Sequence, residues 1–413
     1  MTSKHLEMAN KQSYNKTVTD INRGQNMNSG KKILIILTGG TICSQYEGNV
    51  KVQGSCAGTV LQHNFNASDS PFAGSVTFKE TENYGLFSEN MTVSKWNMLI
   101  QSFRTLPEIH DTAAKRGSFA SLAGKKNVPE NIYDGIIIAH GTDTLAYSSA
   151  LFSIILKDMG IPVFLVSSNE ALSSEKANGS CNFRAAVECI CCGIKPNVYA
   201  AYKNTGDGRM YLHLASRLKQ CESYSEDFFS AGMLDITGLT PENAGAFFKN
   251  LPIPQKNKSI KIDFFNESFT LENAVLKIEP YVGLDYDFFD FGKAEAVLHL
   301  TYHSGTVCSE KTEKNPDYSN NSILHLLDKC PTLPVYIAPS DLSGGIYETV
   351  PVIAEHKSGR VFFVNGCTAE MLYVKLLIAY SLKLPEEKIT EFLQTEYNCE
   401  AVCEKLTVVK KQA

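Results

Sequence analysis

No stretch of this 413-residue chain stays apolar for the roughly 20 residues that a membrane-spanning helix needs, which excludes such a span. The first residues lack the apolar core of a secretory leader, so a cytoplasmic location is expected. A basic stripe is missing too: the net charge is -5 and Lys and Arg are scattered, which argues against a nucleic-acid partner. Among the 12 cysteines, the trio Cys189, Cys191 and Cys192 has neither a second C-x-x-C to pair with nor a His partner at ligand spacing. They read as small apolar residues in a reducing compartment, with no metal and no disulfide framework. Internal repeats are lacking, as are G-x-x-x-x-G-K-[ST] and G-x-G-x-x-G, which weakens any phosphate-binding reading of the glycine loops.

What is present is an α/β pattern. Residues 1–30 are polar and aperiodic and read as a disordered tail. Ile33-Leu34-Ile35-Ile36-Leu37 is a continuous apolar run ended by Thr38-Gly39-Gly40-Thr41, as a buried parallel strand would be. The pattern returns at Gly135-Ile136-Ile137-Ile138-Ala139, ended by His140-Gly141-Thr142-Asp143-Thr144. A helix is expected from Leu145 to Lys157, then a strand at Val163-Phe164-Leu165-Val166. Strand, helix, strand at this spacing is a crossover unit, implying a parallel sheet covered on both faces. The segment 31–227 therefore reads as an N-terminal α/β domain, the one expected to be catalytic if the strand-end loops carry chemistry, 228–270 as a Pro-, Gly- and Asn-rich linker, and 271–413 as a smaller C-terminal α/β domain. That second domain shows strand-like runs at 274–278, 296–300, 335–338 and 361–364, then an amphipathic helix over 369–381.

Ligands of open parallel sheets bind beyond the carboxyl ends of the strands, where both glycine loops lie. Gly40 and Gly141 leave backbone N–H groups able to face a substrate as oxyanion donors. Two such loops on neighbouring strands would bring the Thr41 and Thr142 hydroxyls and the Asp143 carboxylate into one crevice. Amide hydrolysis needs a hydroxyl nucleophile, a proton relay, oxyanion donors and a charged grip on the substrate. A threonine hydroxyl is a weak nucleophile, and a neighbouring hydroxyl tied to a lysine of lowered pKa would activate it.

These two segments together resemble the paired signatures of the bacterial-type L-asparaginases, and Leu145-Ala146-Tyr147 with Gly160-Ile161-Pro162 resembles their cytoplasmic type I branch. The resemblance implies a doubly wound, mostly parallel N-terminal sheet domain and a smaller C-terminal α/β domain. It implies a homodimer or homotetramer, a small amino-acid amide as substrate, and no cofactor. Position by position, Thr41 matches the nucleophile, Thr142 the second catalytic threonine, and Asp143 the carboxylate that holds the substrate ammonium. Ser88 matches the serine that binds the substrate carboxylate, and Lys219 stands nearest the catalytic lysine, its register open by a residue or two. Glu89 stands where the family has a neutral residue beside the substrate. The flap tyrosine is missing, since that stretch reads Lys51-Val52-Gln53-Gly54 and Tyr46 is the nearest aromatic. Asn178 replaces a customary aspartate and Thr306 an asparagine. The expected function is hydrolysis of asparagine or a related small amide. The alternatives are a glutaminase or other small-amide hydrolase, and a non-catalytic amino-acid sensor that kept the pocket. The archaeal tRNA-dependent amidotransferase subunit shares these motifs but carries an extra folded N-terminal domain, which residues 1–30 are too short and too polar to supply.

Overall fold

The structure is a computed structural model that describes residues 30–122, 132–253, 260–310, 320–340, 342, 347–356 and 360–410. Residues 1–29, and with them nearly all of the expected tail, lie outside the described residues.

The first apolar run forms β1 (Lys32–Leu37), and the chain continues through a hairpin of β2 (Ser44–Glu47) and β3 (Val50–Gln53) to β4 (Thr77–Glu80). Then come β5 (Gly135–Ala139), β6 (Val163–Val166), β7 (Val198–Lys203), β8 (Met210–Leu214), β9 (Leu218–Lys219), β10 (Phe229–Ser230) and β11 (Leu234–Asp235). Seven of these make one sheet in the order β11-β8-β7-β6-β5-β1-β4. Strands β4, β1, β5, β6 and β7 run parallel, β8 pairs antiparallel with β7, and β11 pairs antiparallel with β8.

The two-residue period of a strand sends alternate side chains to opposite faces, and here each face has its own core. Leu34, Ile36, Ile136 and Ile138 pack with α2 (Val93–Thr105), α3 (Pro107–Arg116) and α4 (Leu145–Ile155). Ile33, Ile35, Leu37 and Ile137 pack with Phe65 of α1 (Ala57–Asn66) and Phe183 of α5 (Gly179–Cys191). An uninterrupted apolar run is what a strand covered on both sides requires, and the sheet is doubly wound. The chain leaves β1 for β4 on one side and for β5 on the other, so the order of connection reverses at β1. That reversal opens a crevice at the carboxyl ends of β1, β4 and β5.

The second sheet runs β12 (Val275–Ile278), β13 (Ala296–Leu300), β14 (Val335–Ala338), β15 (Val361–Asn365) and β16 (Thr407–Lys410), with only β16 antiparallel. One face (Val297, Val335, Ile337, Phe363) packs on helix residues Leu326, Leu327 and Ile353. The other face (Leu298, Tyr336, Phe362) packs on the helix Ala369–Ser381 and shares a continuous core with α4 of the first sheet. The stretch 228–270, expected as a linker, carries β10, β11 and the short helix Ala244–Phe248, and buries Phe264, Phe265 and Phe269. Beneath the second sheet, Lys375 and Glu400 form a fully buried ion pair at 2.8 Å. Among the described residues no helix is long and apolar enough to cross a membrane.

Candidate active site

The loop after β1 is tied down before it reaches the crevice. Thr38 is buried, and both its amide (3.0 Å) and its hydroxyl (2.7 Å) donate to the Ala139 carbonyl of β5. Gly40 adopts φ 79°, a left-handed conformation that favours glycine, and its amide donates to the Leu86 carbonyl at 2.7 Å. A Cβ there would lie 2.2 Å from the Gly141 Cα, so the two glycine loops touch backbone to backbone. Thr41 opens a single 3-10 turn, Thr41–Cys43, and is half-buried. The carbonyl of Gly40 accepts from the hydroxyl of Ser44 at 2.9 Å and from Nε2 of Gln53 at 3.4 Å, which fixes the peptide leading into Thr41.

The β2–β3 hairpin closes this edge of the crevice. On it the Tyr46 hydroxyl donates to Glu170 at 2.7 Å, and Lys51 pairs with the same carboxylate at 3.0 Å. The Tyr46 and Lys51 contacts together outweigh the partial burial of Glu170 and hold its carboxyl below the usual glutamate range. Tyr46 is thus engaged by Glu170.

The second loop begins at His140, fully buried, whose ring Nδ1 lies 2.8 Å from the Gly141 carbonyl. Burial lowers its pKa, so the imidazole stays neutral. Ser88, buried in the 3-10 turn Ser88–Asn90, connects the loops. Its Oγ donates to Asp143 Oδ2 and accepts from the Asp143 amide, both at 3.2 Å, and its carbonyl accepts from the Thr144 hydroxyl at 3.0 Å. A Cβ on Gly141 would meet Ser88 Oγ at 2.3 Å, which explains the glycine.

These contacts bring together the loops that carry Gly40 and Thr41, Ser88, and Gly141, Thr142 and Asp143. Asp143 and Glu89 are exposed, and among the described residues Asp143 forms no ion pair. Lys219 is not brought in: its side chain is 62% exposed and pairs with Glu222 at 3.4 Å. The residue that reaches the Thr142 loop is the next one, Gln220. Its Nε2 donates to the Thr142 carbonyl at 2.8 Å and its Oε1 accepts from the Ala146 amide at 3.2 Å. The sequence carried no signal for Gln220 beyond the open register at Lys219. The cysteine trio is buried or half-buried on α5, and burial pushes Cys191 up to about 12 and Cys192 to about 11, as suits unreactive apolar packing.

The family description "Asparaginase, N-terminal" matches residues 121–250, a stretch that holds Thr142, Asp143 and Gln220 but not Thr41 or Ser88. In structure the chain is similar to the thermostable L-asparaginase of Thermococcus kodakarensis (TM-score 0.62, 20% identity, 90% of this chain and 99% of that one). It is also similar to L-asparaginase I of Vibrio cholerae (TM-score 0.59, 19% identity, 90% and 99%). The chain therefore has the asparaginase fold, and the resemblance to bacterial-type asparaginases, type I among them, holds in three dimensions. Among curated proteins it is similar to a glutamyl-tRNA(Gln) amidotransferase component from Methanococcus maripaludis, 26% identical over 204 residues, 46% of this chain and 48% of that protein. The corresponding protein of Methanococcus vannielii is 22% identical over 352 residues, 84% of this chain and 74% of that protein. The chain spans about half or less of the length of the first of these relatives.

Proposed function

We propose that this chain is an amidohydrolase that releases ammonia from the side-chain amide of asparagine or a related small amide. The observation that supports the reading is the interlock of three strand-end loops, made by the Gly40–Gly141 contact and the Ser88–Asp143 pair, on the segments that carry two threonines and one carboxylate. In this mechanism the Thr41 hydroxyl attacks the amide carbon, its proton passes to the leaving nitrogen by way of Thr142, and ammonia departs. Water then hydrolyses the Thr41 ester. Asp143 holds the substrate ammonium and Ser88 its carboxylate, while Gly40 and Gly141 line the site with backbone. The active form is a cytoplasmic homodimer or homotetramer.

A second reading, an amino-acid-binding protein without turnover, is favoured by one observation: the side chain on the Thr142 loop is the amide of Gln220, while the Lys219 ammonium faces Glu222. Ammonia release from asparagine, glutamine and N-substituted amides, run beside thermal-shift binding, separates the two. Hydrolysis lost in both Thr41→Ala and Thr142→Ala, with the thermal transition kept, supports the hydrolase, because both residues sit on loops with little core packing to lose. Binding shifts with no ammonia from any amide would move the chain to the second reading, and near wild-type hydrolysis by either variant refutes the threonine mechanism.

A further inference from the structure

The N-terminus of α4 has an unusual cap. Its cap residue Thr144 makes no side-chain capping bond, because its hydroxyl is turned to the Ser88 carbonyl. The first-turn amides of a helix need outside partners. The Ala146 amide finds one in Gln220 Oε1 at 3.2 Å, and the same side chain donates from Nε2 to the Thr142 carbonyl at 2.8 Å. One neutral amide therefore grips the candidate catalytic loop on both sides of its turn into the helix. Gln220 is itself held: its backbone amide donates to Oε1 of Glu370 at 3.0 Å. Glu370 is 6% exposed, lies in the first turn of the helix Ala369–Ser381, and its Oε2 meets no partner among the described residues. That helix packs on the second sheet, so the clamp joins the two sheets at the site.

We propose that Gln220 is the positioning residue of the Thr142 loop and that Glu370 is its anchor, an arrangement in which a neutral amide stands where an ammonium was expected. The inference rests on the amidohydrolase reading. A displacement of about 1 Å in a reacting group can cost about a hundredfold in rate, so the clamp acts on turnover before it acts on binding. Gln220→Met keeps the length and removes both side-chain bonds to the Thr142 loop, whereas Gln220→Glu keeps an acceptor for Ala146 and loses the donor to Thr142. Glu370→Gln keeps an acceptor for the Gln220 amide, and Glu370→Ala does not.

The test measures kcat and KM for the preferred amide, together with hydrogen exchange of the segment 140–150, in the full-length protein. We expect Gln220→Met and Gln220→Glu to lower kcat about ten- to a hundredfold with KM changed less than about threefold. Exchange in 140–150 should accelerate, Glu370→Ala should reproduce the defect in weaker form, and Glu370→Gln should restore it. Unchanged kcat and unchanged protection in Gln220→Met would overturn the clamp while leaving the hydrolase reading in place. A wild-type protein that hydrolyses no amide would instead sink the hydrolase reading, and faster exchange in Gln220→Met would then still support the clamp, unchanged exchange reject it.

Discussion

Gly141 offers a sharp test of how the two glycine loops meet. Its φ is not among the left-handed values, so an alanine there suffers no backbone strain and its cost is contact alone. The added Cβ would stand 2.3 Å from Ser88 Oγ, 2.6 Å from Ser88 Cβ and 3.0 Å from the Gly40 Cα. The first two distances force Ser88 to move, and overpacking of this kind costs about 1–3 kcal/mol. Moving Ser88 also loosens its two 3.2 Å bonds to Asp143, about 1 kcal/mol more because Asp143 is exposed. Gly141→Ala should therefore destabilise by about 2–4 kcal/mol. Ser88→Gly removes both close atoms, so in its background the alanine meets only Gly40. The four proteins of the double-mutant cycle, compared by urea unfolding at pH 7, should show a favourable coupling of about 1–3 kcal/mol. Additivity within about 0.5 kcal/mol would mean that Gly141 and Ser88 do not touch, and the site geometry would be wrong.

Two further outcomes follow from side chains far from that contact. Lys219→Ala should leave kcat and the thermal transition nearly unchanged, since exposed substitutions usually fall within about 0.5 kcal/mol, whereas a hundredfold loss of kcat would show that its ammonium enters the site during turnover. Glu400→Gln strands the buried Lys375 ammonium and should cost about 3–5 kcal/mol in urea unfolding. Burial opposes the Glu400 charge, but Lys375 and the Tyr397 and Asn398 amides hold its pKa below the ordinary 4.5. The pair's contribution is then complete above about 4.5 and is lost as pH falls through the lowered value. The gap between wild type and Glu400→Gln should narrow below that point, and a gap that widens as the pH falls below about 4.5 would refute the linkage.

The two apolar runs and the glycine loops that end them were legible because a strand covered on both faces leaves an unbroken apolar record. The four parallel strands of the second sheet were legible as short apolar runs, although Lys277 and His299 interrupt two of them. The β2–β3 hairpin was not, since Gln45, Glu47 and Lys51 give it no apolar period and its chief ties are polar. Strands β10 and β11 are two residues long, below the length at which alternation registers, and Phe264, Phe265 and Phe269 are buried without periodicity. In the candidate site, the loops that the motifs singled out meet through Gly40 and Gly141 and through Ser88 and Asp143. Gln220 escaped notice because its role is to bond backbone groups of a loop some 74 to 78 positions away, which no local pattern records.

The hairpin's hold on Glu170 also has a consequence in salt. Lys51 and Glu170 are both partly open to water, so their attraction is screened within a Debye length of about 8–10 Å at ordinary ionic strength. Raising the salt concentration weakens that latch while leaving the buried contacts of Thr38, Ser88 and the glycines untouched. The hold of the hairpin on Glu170 thereby varies with the electrolyte, whereas the backbone contact between Gly40 and Gly141 does not.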